Sequence, residues 1–137
     1  MSYDYFMQAH VHGEAQEIPT EKFLRIFEKY ISQKDDSYID LYFDELNSCT
    51  VYMDTGEPTN SGITINRPCA DERLIRCLYA VMQLGNFVFY EPDGKHMIAL
   101  SIETEQHLPE DMVETLGKPL VAEGWEAFLE AYTNNRE

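Results

Sequence analysis

Bases are scarce in this chain. Ten Lys and Arg stand against 25 Asp and Glu, a formal net charge of −15 over 137 residues. A surface so biased repels nucleic-acid phosphates and anionic membranes and attracts cationic partners. No nucleic acid and no membrane is therefore expected as a partner. Cysteine is also sparse. Cys49, Cys69 and Cys77 are odd in number and lack CxxC spacing, which argues against a disulfide framework or a zinc site. Cys49 falls on the apolar face of a strand and Cys77 among the apolar positions of a helix, so buried, reduced thiols are expected. No apolar run nears the ~20 residues of a transmembrane helix. The N-terminal MSYDYFMQAHVHGEAQ has neither the basic nor the apolar region of a secretory signal. The cytoplasm is the expected compartment.

Catalytic motifs are missing too. GxGxxG, the P-loop, GxSxG and HExxH do not occur. His10 and His12 form an H-x-H pair, which is half of a metal site on a strand, but no third ligand can be placed. Two solvated histidines near a strand end are the plainer reading. Cys69 with His96 or His107 would make a nucleophilic pair, yet nothing in the sequence fixes their proximity. Asp40, Asp44 and Asp54 could serve as paired carboxylates or hold a hard cation. Either role needs a concave site, which alternating strands do not supply. No cofactor and no enzymatic activity is expected.

What the chain does have is a core. Hydrophobic residues make up 44% and charged residues 26%, ordinary for a globular protein. A chain of this size buries roughly 68% of the surface its unfolded form exposes, enough without metals or disulfides. One domain over 1–137 is expected, with 102–137 an acidic helical extension packed on it. The fold class is α+β: a mainly antiparallel sheet of five to six strands, two main helices on one face, and a short helical tail.

The elements follow from periodicity. Ser2 to His12 alternates as a first strand, with Phe6 an exception on its wetter face. Thr20 is a candidate N-cap for a helix to about Ser32, with Phe23, Leu24, Phe27, Tyr30 and Ile31 on one stripe. Gln33 to Ser37 reads as a turn. Tyr38–Phe43 and Cys49–Met53 read as a hairpin with a loop from Asp44 to Ser48, which would set Asp40 opposite Tyr52 and Tyr42 opposite Thr50. After a turn-rich loop, Ile63–Asn66 is a strand broken by Arg67-Pro68. A second helix begins at Ala70, Asp71 and Glu72, carries Leu74, Ile75, Cys77, Leu78, Val81 and Met82 inward, and ends at Gly85-Asn86. Phe87–Tyr90 and Met97–Leu100 form a second hairpin around Glu91-Pro92-Asp93-Gly94, more buried because its strands do not alternate. Pro109–Leu116 and Gly124–Tyr132 are short helices, the latter presenting Trp125, Phe128, Leu129 and Tyr132 to the domain.

The stretch Asp35–Asn66 holds seven acids and no Lys or Arg. Its apolar face is Ile39, Leu41, Phe43, Cys49, Val51, Met53, Ile63 and Ile65. Its wet face carries Tyr38, Asp40, Tyr42, Asp44, Thr50, Tyr52, Asp54, Thr64 and Asn66. Tyrosine offers rigid area with a hydroxyl, and a carboxylate accepts paired hydrogen bonds from arginine. Tyr38, Asp40, Tyr42, Asp44, Tyr52 and Asp54 are therefore the candidate partner-binding residues, and a basic protein is the expected partner.

The opening SYDYF strand, GITINRP leading into ADERLIRCLYAVMQLGN, and the FVFYEPDG hairpin start resemble, in order and residues, the small acidic immunity proteins that bacteria pair with toxins. The resemblance spans about Ser2 to Gly94 and excludes the tail after Glu103. It implies a cytoplasmic, non-enzymatic inhibitor that covers the active site or substrate-binding surface of a toxin, often a basic nuclease. It carries no shared catalytic residues. Two other classes stay open: a small-molecule- or metal-binding enzyme or sensor gathering His10, His12 and a carboxylate, and a structural subunit that oligomerises.

Overall fold

The computed structural model describes residues 4–91 and 97–134. Tyr3, the Pro92-Asp93-Gly94 turn and His96 lie outside the described residues. Along the chain come β1 (Asp4–Val11), β2 (Glu14–Ala15), β3 (Ile18–Pro19), α1 (Thr20–Phe27), a 3-10 turn (Glu28–Tyr30) and β4 (Ile31–Lys34). The hairpin strands β5 (Tyr38–Asp44) and β6 (Asn47–Tyr52) follow, then β7 (Thr59–Asn60), β8 (Gly62–Asn66) and α2 (Glu72–Met82). The rest is β9 (Phe87–Tyr90), β10 (Met97–Ala99), a 3-10 helix (Ile102–His107), α3 (Glu110–Leu116), β11 (Leu120–Val121) and α4 (Trp125–Asn134).

The fold is α+β, with a sheet ordered β11-β10-β9-β1-β8-β6-β5-β4 and β2 added beside β1. Pairing is antiparallel except between β10 and β11. All six expected strands are present. Short strands that carry little pattern of their own, β2, β4 and β11, raise the described sheet to nine. β3 and β7 pair separately.

Period-two alternation builds the main core. Tyr5, Met7 and Ala9 of β1, Ile39 and Leu41 of β5, Val51 of β6 and Ile63 and Ile65 of β8 all point to one buried side. Phe23 and Phe27 of α1, Leu74 and Leu78 of α2, and Phe128 and Tyr132 of α4 close over them. The apolar stripe of each helix faces the sheet, while Lys22, Arg25, Glu28 and Lys29 face water. β9 and β10 differ because they are covered twice. Phe87 and Phe89 join the main core, whereas Val88, Met97 and Ala99 join Leu108, with Met112, Val113 and Leu116 of α3 packed on the opposite side. A strand sandwiched between two layers has no wet positions, which is why its residues do not alternate.

Several local expectations are corrected. The first helix does not reach Ser32. It tightens to 3-10 geometry by Tyr30, and Ile31 pairs with Leu41, so Ile31–Lys34 is an edge strand rather than helix end and turn. Thr20 is the first helical residue, not the cap. Its hydroxyl donates to the Glu57 carbonyl at 2.6 Å and accepts from Asn60 Nδ2 at 2.7 Å. Asn60, buried, also accepts the Asp54 N–H at 3.1 Å, tying the 54–60 loop to α1. α2 stops at Met82, capped by Gln83. Gly85, two residues later, leaves room for Gln16: a Cβ there would lie 2.6 Å from Gln16 Oε1, which accepts the Asn86 N–H. The central hairpin is tighter than expected. Asp44 pairs with Asn47 across a bulge, so only Glu45 and Leu46 turn the chain. The faces keep their parity, but the register moves by two: Asp40 faces Thr50, Tyr42 faces Ser48, and Tyr52 faces Tyr38.

Candidate partner-binding face

The side of the sheet away from the helices is open over β5, β6, β8 and β1. Register lines its residues into rows. Tyr38, Tyr52, Thr64, Phe6 and Tyr90 are successive cross-strand neighbours on β5, β6, β8, β1 and β9. At about 4.8 Å per strand this row runs roughly 19 Å. Four of its five members are aromatic. Tyr52 is 46% exposed, and the Phe6 and Tyr90 rings stack at 5.3 Å. Tyr38 is fixed by a hydrogen bond from Gln33 Nε2 to its hydroxyl at 3.1 Å.

A polar row runs beside it: Asp40, Thr50, Asn66 and Asp4. Thr50 Oγ1 donates to Asp40 Oδ1 at 2.7 Å, and Asn66 Nδ2 donates to Asp4 Oδ1 at 2.7 Å. Each carboxylate is thus oriented through one oxygen, and its other oxygen can still accept from an incoming cation. Tyr42, 50% exposed, extends the face toward the hairpin end. Ser32, Asp40, Tyr42, Ser48, Thr50, Asn66 and Arg67 line a shallow depression of about 360 Å³ between the rows and the hairpin end.

Not every predicted residue sits in this array. Asp44 is occupied within the fold. Its carboxylate accepts from Leu46 N–H and Asn47 Nδ2, both at 2.9 Å, and pairs with the Arg73 guanidinium. Those turn hydrogen bonds, with the Arg73 contact, hold its pKa below the usual carboxylate range. Asp54 is exposed beyond the end of β6, where it adds charge at the rim. Asp40, Tyr38, Tyr42 and Tyr52 share the face. Asp4, Phe6, Asn66 and Tyr90 complete it and were missing from the predicted set. Phe6 did leave a signal, as an aromatic ring on the wet side of an otherwise alternating strand.

Arg73 is the hinge of the charge balance here. It also pairs with Asp71 at 2.8 Å and donates to the Phe43 carbonyl at 3.1 Å, so one cation neutralises two of the acids nearest the hairpin turn. Asp71 too is held below the usual carboxylate range, chiefly by its hydrogen bond from Arg73. Carboxylates with depressed folded pKa values stabilise the fold above their unfolded pKa of about 4, and that contribution is lost as pH falls through the folded values. Calorimetric melting from pH 6 to pH 2 is therefore expected to show a Tm falling below about pH 4. R73M is expected to flatten that acid limb. Identical limbs in the two proteins would show that Arg73 does not set it.

Among the described residues the metal and nucleophile candidates do not assemble; the Cys69–His96 pair lies partly outside them. His12 lies in the turn after β1 with φ 49°, so it does not share a strand face with His10. It meets His107 instead, rings 4.8 Å apart, and the His12 N–H donates to His107 Nδ1 at 3.1 Å. The His10 ring is partly buried, and burial lowers its pKa. Among the described residues no group of three His, Cys, Asp or Glu side chains is arranged to hold a metal ion. Cys69 is partly buried against the main core, and His107 is engaged with His12. Among the described residues no helix is long and apolar enough to cross a membrane.

No family model, no curated protein and no solved structure matches this chain.

Proposed function

We propose that this chain is a non-enzymatic acidic binding protein of the immunity type, working in the bacterial cytoplasm, which neutralises a basic toxin such as a nuclease by covering its active or substrate-binding surface. One observation carries the reading: Tyr52 and Tyr42 are exposed, and Tyr38 and Phe6 partly exposed, beside the oriented carboxylates of Asp40 and Asp4, with Tyr90 closing the row where α3 packs. Aromatic rings left on a solvent face are costly to keep wet and are enriched where partners dock. Carboxylates beside them accept hydrogen bonds from arginine or lysine of a cationic surface. The net charge of −15 adds a long-range field that speeds encounter with such a surface.

The test is association with a basic protein encoded beside this chain's own gene, followed kinetically at low and high salt. A steered complex is expected to lose about tenfold or more in association rate between roughly 20 mM and 500 mM salt, with a much smaller change in dissociation. A complex whose association rate ignores salt, or no complex with that protein, would count against the reading.

A further inference from the structure

The central hairpin outruns its neighbours in the sheet. Its pairing with β4 ends at Leu41, opposite Ile31. Its pairing with β8 ends at Thr50, opposite Asn66. Residues 42–49 continue as two strands alone, and at about 3.3 Å per residue they carry the turn roughly 10 Å past the sheet. At the end stands Leu46, 92% exposed, the most exposed large apolar side chain among the described residues.

A free two-stranded end is marginal in water. This one is braced from the core side. The Phe43 ring centre lies 4.7 Å from that of Tyr30 and 5.7 Å from the Arg73 guanidinium carbon, and Arg73 Nη1 donates to the Phe43 carbonyl. Arg73 is held in turn by Asp71, the N-cap of α2. The turn is also closed from within. One Asp44 oxygen accepts the Leu46 N–H at 2.9 Å, and the other pairs with Arg73. Both oxygens are taken, so Asp44 fixes the shape of the turn rather than reaching outward. The Leu46 side chain takes no part in the bracing. Polar residues and glycine serve tight turns without wetting an apolar surface, and leucine here gains the fold nothing. Glu45 beside it is exposed and makes no ion pair among the described residues. Asp44, Glu45 and Asp71 stand against Arg73 alone, which leaves the hairpin end anionic.

We propose that the β5–β6 turn is a preformed wedge whose Leu46 side chain enters an apolar recess inside a cationic cleft of the partner protein. The inference rests on the partner-binding reading and names what that partner must offer. An apolar tip in an anionic collar fits a recess rimmed by lysine or arginine. A bilayer does not fit, because the carboxylates beside Leu46 would be drawn toward hydrocarbon with it. A second copy of the chain does not fit either, since it carries the same net charge of −15. Because the turn is braced before binding, docking orders little new structure. The anchor then governs how long the complex lasts rather than how fast it forms.

The test follows association and dissociation of the full chain with the basic protein encoded beside its gene, for the parent, L46A, L46D and I102D. Ile102 is the control, also exposed, at 65%, but in the 3-10 helix after β10. L46A should raise the dissociation rate about tenfold and L46D about 100-fold. Association should stay within about twofold, and L46D should not slow it, since its added carboxylate strengthens the steering field. I102D should dissociate like the parent, and all three variants should melt within about 2 °C of it. A parent complex that L46D leaves no quicker than the parent does overturns the wedge and lets the partner-binding reading stand. A parent that forms no complex overturns both. Equal losses from I102D and L46D, or a loss confined to the association rate, also overturn the wedge.

Discussion

Phe128→Ala is expected to cost about 3–5 kcal/mol, among the largest single-residue losses available in this chain. Phe128 lies near the C-terminus, in a segment that sequence alone makes look like an appendage. Its ring is fully buried, 5.6 Å from Tyr79 of α2 and 6.4 Å from Phe89 of β9. Tyr132, one turn on, meets both Tyr5 of β1 and Phe89. Truncating Phe128 removes a large ring from the meeting point of helix and sheet, and the surrounding rings cannot collapse fully into the void. A loss of that size corresponds to a Tm lower by about 10 °C or more for a domain of this length. Leu129→Ala, one residue along on a partly exposed position, is expected to cost much less. If both substitutions shift the denaturation midpoint equally, α4 does not complete the core in the manner its contacts indicate.

Much of the architecture could be read from alternation, because a one-sided sheet writes its burial into every second residue. β1, β5, β6 and β8 were legible for that reason, and so were the inward stripes of α1 and α2. The two-residue strands were not, since Glu14–Ala15 or Leu120–Val121 carry too few positions to show a period. Ile31–Lys34 was hidden differently. Its Ile31 continues the helical stripe of Phe23, Phe27 and Tyr30, and only pairing with Leu41 makes it strand. The hairpin register is hidden in the sequence because Asp44 reads as a loop and binding residue, whereas its side chain closes the turn. The candidate face was half legible. Parity placed Tyr38, Asp40, Tyr42 and Tyr52 on one side, but their neighbours depend on strand order. Nothing local reveals that β1 lies beyond β8, and only that order brings Asp4 and Phe6 into line with residues some fifty positions away.

The composition of that face suggests that its two rows will separate in kinetics. Replacing Tyr38 and Tyr52 together with alanine is expected to weaken the complex by about 100-fold or more, since desolvated aromatic anchors commonly contribute ~2 kcal/mol or more each. Almost all of that loss should appear in the dissociation rate, because ring packing forms only after docking. Asp40→Asn with Asp4→Asn keeps shape and one accepting oxygen on each side chain while removing two charges. It should lower the association rate by several-fold and shrink its salt dependence. Neither change should disturb folding greatly, as Tyr52 is half exposed and both acids sit on the open side. Asp44→Asn supplies the contrast. Asp44 is engaged by Arg73, Leu46 and Asn47, so its substitution should move thermal stability while leaving association nearly unchanged. If the alanine pair binds as tightly as the parent while the asparagine at 44 does not, the docking surface lies at the hairpin tip and not along the aromatic row.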